Sequence, residues 1–286
     1  TPHYSFGNLK QKDFRQVILT TEKTRDSSLA IEVITNFETV NFIDTDDALI
    51  SEIPREFAAF KFNGSTGITV MDSRDFSVLR STLYNDPIYA DVMSGVSDGK
   101  NLYVNDNNNK IMKVNFSSLT EVFWHEGGLG SGTTNYNTPH QIALAPNGDV
   151  YVVDTLNNRF KILSADDGSV LRTYGELGRL TTSVHEPTGI AVDDIRVWLA
   201  DEGNNRLVQY NRGDLSVKTI IRMDYNLTAE TSLALSPFNL FVAYNVISPE
   251  DIRYKEIVLE KRNKADGSLL NRKIVRPKND IGLSTY

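Results

Sequence analysis

The chain has 286 residues, of which 40% are hydrophobic and 23% are charged, and its formal net charge at pH 7 is −7. These values are typical of a globular protein and exclude an intrinsically disordered chain, and no apolar run approaches the roughly 18 residues that span a bilayer. The acidic balance also disfavours binding to nucleic acid or to an anionic membrane surface.

The chain contains no cysteine, which excludes disulfide bonds, thiolate metal sites and a cysteine nucleophile. The sequence begins with Thr1 rather than Met. We therefore expect a processed or excerpted chain from which any targeting segment has been lost.

The N-terminal third contains a strand-like run, QVILTT (16–21), and two hairpin patterns, NFIDTDDALISEI (41–53) and TVMDSRDFSVLRSTL (69–83). The hairpins are only about 28 residues apart, which is too short for a complete four-stranded unit. Two alternatives follow: the second unit lacks a strand, or the run at 16–21 closes the structure beside the C-terminal unit. Residues 1–15 would then form an extended N-terminal arm.

The middle of the chain repeats itself at an offset of 48 residues. GGLGSGTTNYNTPH (127–140) aligns without a gap with GELGRLTTSVHEPT (175–188), and each continues into a second shared pattern, QIALAPNGDVYVVDTLNNRF and GIAVDDIRVWLADEGNNRL. A period in the forties that carries short apolar runs and turn residues is typical of a repeated β unit.

The copy that starts at QIALAP shows what one unit contains. QIALAP, VYVVD, RFKILS and VLRTYG are strand-like, and Asn-Gly and Asp-Gly turns join the first two and the last two. Four antiparallel strands in about 47 residues make one propeller blade. The outer hairpin of the unit recurs at KVNFSSLTEVFW (113–124), KILSADDGSVLRTY (161–174), VQYNRGDLSVKTII (208–221) and LEKRNKADGSLLNRKIV (259–275).

Dividing the chain length by the period gives about six copies, in agreement with six outer hairpins. The sequence therefore predicts an all-β fold: a six-bladed β-propeller of four-stranded antiparallel blades, forming a single domain over residues 1–286. Blades one and two are the ones that the short spacing leaves incomplete.

An aspartate followed by asparagines recurs where the second strand of a unit ends, at Asp106, Asp154 and Asp201. A short acidic side chain in this position can accept backbone N–H bonds and cap the turn. Calcium binding is the alternative, since carboxylate and amide oxygens suit a hard cation. The first copy has Lys110 where the others have Arg159 and Arg206. Such variation between copies is more compatible with a turn than with a set of metal ligands. We therefore predict no cofactor, with calcium as the alternative.

The pattern G-x-L-G … P-x-x-I-A … V-Y-V-x-D-x-x-N-N-R resembles the NHL repeat of six-bladed β-propellers. It is clear over 127–222 and recognisable over 88–126. The resemblance implies a disc with a central channel and one loop-bearing face that is commonly used for binding. It leaves function open, because NHL-type propellers include protein-, RNA- and carbohydrate-binding modules, scaffolds and a few metal-dependent lyases.

The lyase hypothesis rests on His140, because the resemblance implies channel histidines at the start of the innermost strands. The equivalent positions hold Thr188, Thr231 and either Ala90 or Asp91. A metal that lacks two of three nitrogen ligands would be weakly held. RNA binding would need a basic face, for which Arg159, Lys161, Arg179 and Arg206 are the candidates, and the acidic total opposes it.

The linkers at 127–138 and 175–186 have equal length and should form neighbouring ridges on one face of the disc. Their glycines suit a tight backbone path between blades rather than a phosphate loop, because no helix follows them. Tyr136 and Arg179 are the predicted anchors, since aromatic and arginine side chains dominate protein contacts. His140, His185 and Thr188 complete the predicted binding set.

The sequence favours a non-catalytic binding or scaffold propeller that contacts a partner protein or a glycan. Its composition fits a structural component of a microbial or viral surface, placed extracellularly, on the cell surface or on a virion. The alternative is a propeller lyase or hydrolase that works in the central channel.

Overall fold

The computed structural model describes residues 68–72, 77–82, 92–120, 122–247 and 255–275, apart from the side chains of His125 and Lys255. It also describes the backbone of four strands at 14–19, 31–35, 38–42 and 56–61. Within these residues no helix is both long and apolar enough to cross a membrane.

The N-terminal part forms one four-stranded antiparallel sheet, in the order β1-β4-β5-β6, and one two-stranded hairpin, β2-β3. These strands are β1 (Phe14–Leu19), β2 (Ile31–Thr35), β3 (Glu38–Phe42), β4 (Glu56–Lys61), β5 (Ile68–Asp72) and β6 (Val78–Ser81).

Residues 92–275 form four consecutive sheets, here called blades I to IV, and each contains four antiparallel strands in chain order. Blade I contains β7 (Val92–Ser97), β8 (Asn101–Asp106), β9 (Lys110–Asn115) and β10 (Val122–Gly127). Blade II contains β11 (Pro139–Leu144), β12 (Val150–Asp154), β13 (Arg159–Leu163) and β14 (Val170–Tyr174). Blade III contains β15 (Pro187–Val192), β16 (Arg196–Asp201), β17 (Arg206–Asn211) and β18 (Val217–Arg222). Blade IV contains β19 (Ser232–Leu235), β20 (Asn239–Ile247), β21 (Lys255–Asn263) and β22 (Leu269–Val275).

The first strand of every blade is the innermost one, because β7, β11, β15 and β19 lie next to one another across the blade boundaries. The second strands β8, β12 and β16 are buried along nearly their whole length, whereas the outermost β14 is mostly exposed. Strands that are covered on both faces read as continuous apolar runs, which explains VYVVD and VWLAD.

The hydrophobic core lies between adjacent blades. One cluster joins Tyr151 and Phe160 of blade II to Val197, Leu199 and Tyr210 of blade III. The rings of Phe160 and Tyr210 are 5.9 Å apart between centroids, a separation at which tilted aromatic pairs attract. Each blade therefore depends on its neighbour for burial of its apolar faces, as expected for a repeat architecture.

The prediction of an all-β propeller built from four-stranded antiparallel blades is confirmed, but the prediction of six such blades is wrong for the described chain. Four regular blades are present, preceded by the N-terminal sheet and the two-stranded hairpin. Five of the predicted outer hairpins form, and the one at 41–53 lies outside the described residues beyond Phe42.

The alternative in which the second unit lacks a strand is wrong, because β1 pairs with β4 and completes the four-stranded sheet that contains the 69–83 hairpin. Closure of the ring beside the C-terminal unit stays a prediction. The two predicted hairpins at 41–53 and 69–83 are close in sequence because the first strand of this sheet, β1, lies before the hairpin β2-β3 in the chain and not between the two. The predicted arm over 1–15 lies outside the described residues up to Asp13.

Candidate binding face

Two linkers connect the outermost strand of one blade to the innermost strand of the next: 127–138 between blades I and II, and 175–186 between blades II and III. Each lies over the turn that joins the second and third strands of the following blade. Asn157 Nδ2 donates to Gly130 O at 2.8 Å, and Asn204 Nδ2 donates to Gly178 O at 2.8 Å. We call the surface formed by these linkers and by the turns 155–158 and 202–205 the linker face.

The turn aspartates are the centre of a hydrogen-bond network that holds the linkers. Asp201 is fully buried, and its carboxylate accepts hydrogen bonds from the His185 backbone N–H at 2.7 Å, from Asn204 Nδ2 and from Arg206 Nε at 2.6 Å. Arg206 in turn donates to the carbonyls of Leu180 and Ser183. The linker 175–186 is therefore tied to the ion pair beneath it.

The same network recurs in blade II. Asp154 accepts hydrogen bonds from the Asn137 backbone N–H, Asn157 and Arg159 Nε, and Arg159 donates to carbonyls of the linker 127–138. These aspartates accept backbone N–H bonds as predicted, but at Asp154 and Asp201 the N–H groups belong to the linkers and not to the turn that each aspartate precedes. The ion pair with the arginine was not predicted. Within the described residues, no three His, Asp or Glu side chains converge as a metal site.

A second repeated contact fastens each blade to the next connection. Asn109, Asn158 and Asn205 adopt left-handed φ values of 61°, 54° and 49°. Their Oδ1 atoms accept the backbone N–H groups of Thr138, Glu186 and Leu227, at 2.7, 3.0 and 2.9 Å. Asparagine is favoured here because it tolerates this backbone conformation.

The glycines that open the linkers are required by close backbone approach. At Gly175, where φ is 112°, an added Cβ would lie 2.9 Å from Asn158 O, and at Gly127 it would clash with Asn109 O. These positions confirm the tight-path interpretation of the glycine-rich segment.

Tyr136 was predicted as an exposed anchor, and this prediction is wrong. Its side chain is fully buried, and Lys161 Nζ lies 3.8 Å from the centre of its ring. Burial raises the pKa of the Tyr136 hydroxyl. The repeat contained the signal, because the equivalent residue is the buried Val184 and both pair within their linkers in the same way.

Lys161 is itself fully buried. Its ammonium group donates to Thr133 O and Asn135 O and lies 3.9 Å from Asp154 Oδ2, and burial lowers its pKa to about 8. Three of the four cations considered for an RNA-binding face are thus occupied inside the protein, namely Arg159, Lys161 and Arg206. Only Arg179 is exposed.

His140, Thr188 and Thr231 occupy equivalent positions at the start of the innermost strands, as the repeat predicts. The blade I equivalent is Met93 rather than Ala90 or Asp91, because Val92 pairs with Asp106 as Pro139 pairs with Asp154. Within blades I to IV, His140 is therefore the one imidazole at these equivalent positions. Thr188 is fully buried, so its side chain cannot contact a partner directly.

Gln141 is an inner-strand residue that sequence reasoning missed. Its Nε2 donates to Leu233 O at 2.7 Å, and its Oε1 accepts the N–H groups of Ile190 and Leu233, both at 2.9 Å. One amide thus links the innermost strands of blades II, III and IV. Gly189 is the equivalent residue of blade III. A Cβ added there would lie 3.1 Å from the Leu233 side chain and from Thr231 O.

A small acidic group lies on the linker face beside His185. His185 is partly exposed and packs on Gly203, and its Nε2 lies 4.0 Å from Glu186 Oε1. Burial, reinforced by the neighbouring charge of Glu186, raises the pKa of Glu202 to about 7. The carboxyl group of Glu202 therefore changes its charge near neutral pH.

The linker face also exposes leucines. Leu129 and Leu177 are equivalent residues of the two linkers and are 71% and 65% exposed, and Leu180 is 72% exposed. Leu156, in the turn beneath the first linker, is also exposed. The opposite face, formed by the turns between first and second strands and between third and fourth strands, exposes Ile195 and Phe238.

Comparison with known proteins supports the repeat assignment and leaves activity open. No protein-family model matches the chain. A segment of 103 residues, 34% of the chain, is 31% identical to human NHL repeat-containing protein 3, and 100 residues are 32% identical to the mouse protein of that name. The matched segments span 29% and 28% of those relatives. The resemblance to NHL repeats is thereby confirmed over about a third of the chain.

Solved structures share the fold at low identity. A protein of unknown function from Bacteroides caccae superposes with a TM-score of 0.55 at 15% identity, covering 77% of each chain. Hydrazine synthase from Kuenenia stuttgartiensis gives a TM-score of 0.50 at 13% identity, covering 65% of this chain and 49% of that one. At these identities the likeness concerns the fold alone.

Proposed function

We propose that this NHL-type propeller is a non-catalytic scaffold that binds a partner protein through its linker face. The observation that supports this most directly is the repeated exposure of Leu129 and Leu177, joined by Leu180 and Leu156. Single exposed leucines need no explanation. Here Leu129 and Leu177 recur at equivalent positions on linkers that are fixed from beneath by ion pairs. A surface that is already ordered loses less entropy on binding.

A protein partner suits this face better than a glycan. Tyr136, the aromatic side chain expected to serve either contact, is buried. The exposed side chains of the linkers include leucines and Arg179 beside serine and threonine hydroxyls. Apolar and arginine side chains are typical of protein interfaces. We propose no cofactor for this role, because the carboxylates of Asp154 and Asp201 already accept hydrogen bonds from backbone, asparagine and arginine donors.

The composition supports a further proposal about location. A cysteine-free, asparagine-rich propeller suits a structural component of a microbial or viral surface, facing the extracellular medium. Labelling of intact cells or particles with an antibody against the chain tests this proposal. Signal only after permeabilisation would contradict it.

The binding proposal is tested by comparing two double variants in recovery of native partners. Leu177→Ser with Leu180→Ser removes apolar groups from the linker face, and Ile195→Ser with Phe238→Ser does the same on the opposite face, at comparable exposure. We expect the first variant to recover at least about tenfold less partner, corresponding to loss of an interface anchor, and the second to match the parent. Equal recovery by both, with circular dichroism unchanged, would contradict the proposal.

A further inference from the structure

A depression of about 290 Å³ lies on the linker face of blade III, between the linker 175–186 and the turn 202–205. Three arginines contribute to its wall in a chain whose net charge is −7. The residues that line it are Arg179, Gly203, Asn204, Asn205, Arg206 and Arg222.

Arg206 has a structural role, whereas the charges of the other two arginines are not compensated in the same way. Arg206 is paired with Asp201, and the nearby Asp224 is paired with Arg272. Among the described residues, no ion pair involves Arg179 or Arg222. Arg222 stands directly opposite Arg206 in the β17-β18 ladder, an arrangement of like charges that is unfavourable. An anionic group held in the depression would relieve this repulsion.

Blade II shows that the fold does not require the two additional arginines. Arg159 corresponds to Arg206, but Ser131 stands in place of Arg179. Gly175 stands in place of Arg222, since each follows the strand residue that faces the second residue of the third strand. Both arginines are therefore present in blade III, whereas the equivalent positions of blade II hold uncharged residues.

A second depression, of about 300 Å³ on the opposite side of the disc, provides a contrast. Arg172 and Arg212 line it together with Asp149 and Asp194, so its charges are balanced. Arg172 donates to Gly213 O, and Arg212 donates to Asp194 O. An excess of positive charge is therefore a property of the blade III depression and not of arginine-containing depressions in this protein generally.

We propose that the blade III depression binds a carboxylate side chain from an acidic segment of the partner protein. The carboxylate lies between Arg179 and Arg222, and an apolar neighbour packs on Leu177 or Leu180. Guanidinium groups bind carboxylates with two parallel hydrogen bonds, which gives orientation as well as attraction. This inference rests on the proposed binding role of the linker face and names the chemistry of the partner. A long nucleic acid fits less well because the chain as a whole is acidic.

The test uses fluorescence anisotropy with defined probes at low ionic strength, where exposed charges are least screened. The probes are a short labelled peptide with the core Leu-Glu-Glu-Leu, the same peptide with glutamines, and a labelled oligouridine. The proteins are the parent, Arg179→Ser with Arg222→Gln, and the control Arg172→Gln with Arg212→Gln, which removes the same charge from the opposite side. We expect the first variant to bind the glutamate peptide about tenfold more weakly and the control to bind like the parent.

Several results would overturn the inference. If the parent and the Arg179/Arg222 variant bind the glutamate peptide with equal affinity, the proposed site is refuted. The site is also refuted if the parent binds the glutamine peptide as tightly as the glutamate peptide. Arginine-dependent binding of oligouridine without peptide binding would assign the depression to phosphate instead.

The two proposals fail separately. If the leucine variant loses its native partner while the arginine variant binds the glutamate peptide normally, the result supports the linker face as the partner-binding surface and refutes the carboxylate site in the depression. If the arginine variant loses the peptide while the leucine variant keeps its partner, the acid site stands and the leucine-based partner face is refuted.

Discussion

Replacement of Asp201 by alanine should be among the most destabilising single changes in the described chain. The hydrogen bonds that Asp201 accepts from the His185 backbone N–H and from Asn204 would alone predict a loss of about 1–2 kcal/mol. The structure adds a larger cost, because Arg206, whose side chain is 7% exposed, would lose the carboxylate 2.6 Å away. Removal of one partner of a buried ion pair costs about 3–5 kcal/mol, and we expect Asp201→Ala to fall in that range.

Urea unfolding followed by tryptophan fluorescence measures this loss, because one of the two tryptophans, Trp198, is fully buried in the same blade. Asp214→Ala is the control, since Asp214 also caps a turn through Ser216 but is exposed and has no buried arginine partner among its described contacts. Asp201→Ala combined with Arg206→Met should cost clearly less than the sum of the single changes, because no charge is left buried. Additive losses, or a single-variant loss under about 1 kcal/mol, would refute the ion-pair reasoning.

The buried Lys161 has a pKa of about 8, below its ordinary value of 10.5, so unfolding takes up a proton between those pH values and the unfolding free energy should rise from pH 8 to pH 10. Urea midpoints measured across that window should lose this rise in Lys161→Met, and an unchanged slope would contradict the assignment. Glu202 has a pKa of about 7, above its ordinary 4.5, so its contribution to stability should decline as pH rises from 4.5 to 7. Glu202→Gln should remove that decline, and a variant with the parental profile would show that another group titrates. Gly175→Ala should lower the free energy of unfolding by about 1–3 kcal/mol, because φ is positive and the new Cβ would contact Asn158. Gly99→Ala, where φ is also positive but the surrounding space is open, should lower it less, and thermal denaturation of both variants measures the difference. A chelator should leave the melting temperature of the parent unchanged, and a fall of several degrees would show that a metal supports the fold.

The strand order of blades I to IV was predictable from sequence because its determinants are local. Asn147-Gly148 and Asp167-Gly168 specify hairpins, and the apolar alternation between them fixes which face is buried. The positions of His140 and Thr188 on innermost strands followed from the same register. The N-terminal sheet was not predictable in this way, because β1 pairs with β4 across an inserted hairpin.

Side-chain environments at the site were less accessible from sequence. Tyr136 is buried because it packs in a core cluster with Ile142 and Val152 of blade II, and Lys161 of the same blade lies over its ring. No local sequence pattern reports such contacts. Gln141 bridges three blades, so its role depends on how the blades are arranged around the axis. A comparison between repeats predicts part of this. Val184 at the position equivalent to Tyr136 indicates a buried apolar site, and Gly175 at the position equivalent to Arg222 shows that the fold does not require an arginine there.

We propose that the linker face, and not the opposite face, contacts a partner protein. Site-specific photo-cross-linking in the native setting tests it most directly, with a photoreactive residue at position 177 on the linker face or at position 195 on the opposite face. We expect a discrete cross-linked protein species from position 177 and none from position 195. Cross-linking from position 195 alone, with both proteins folded and equally abundant, would contradict it.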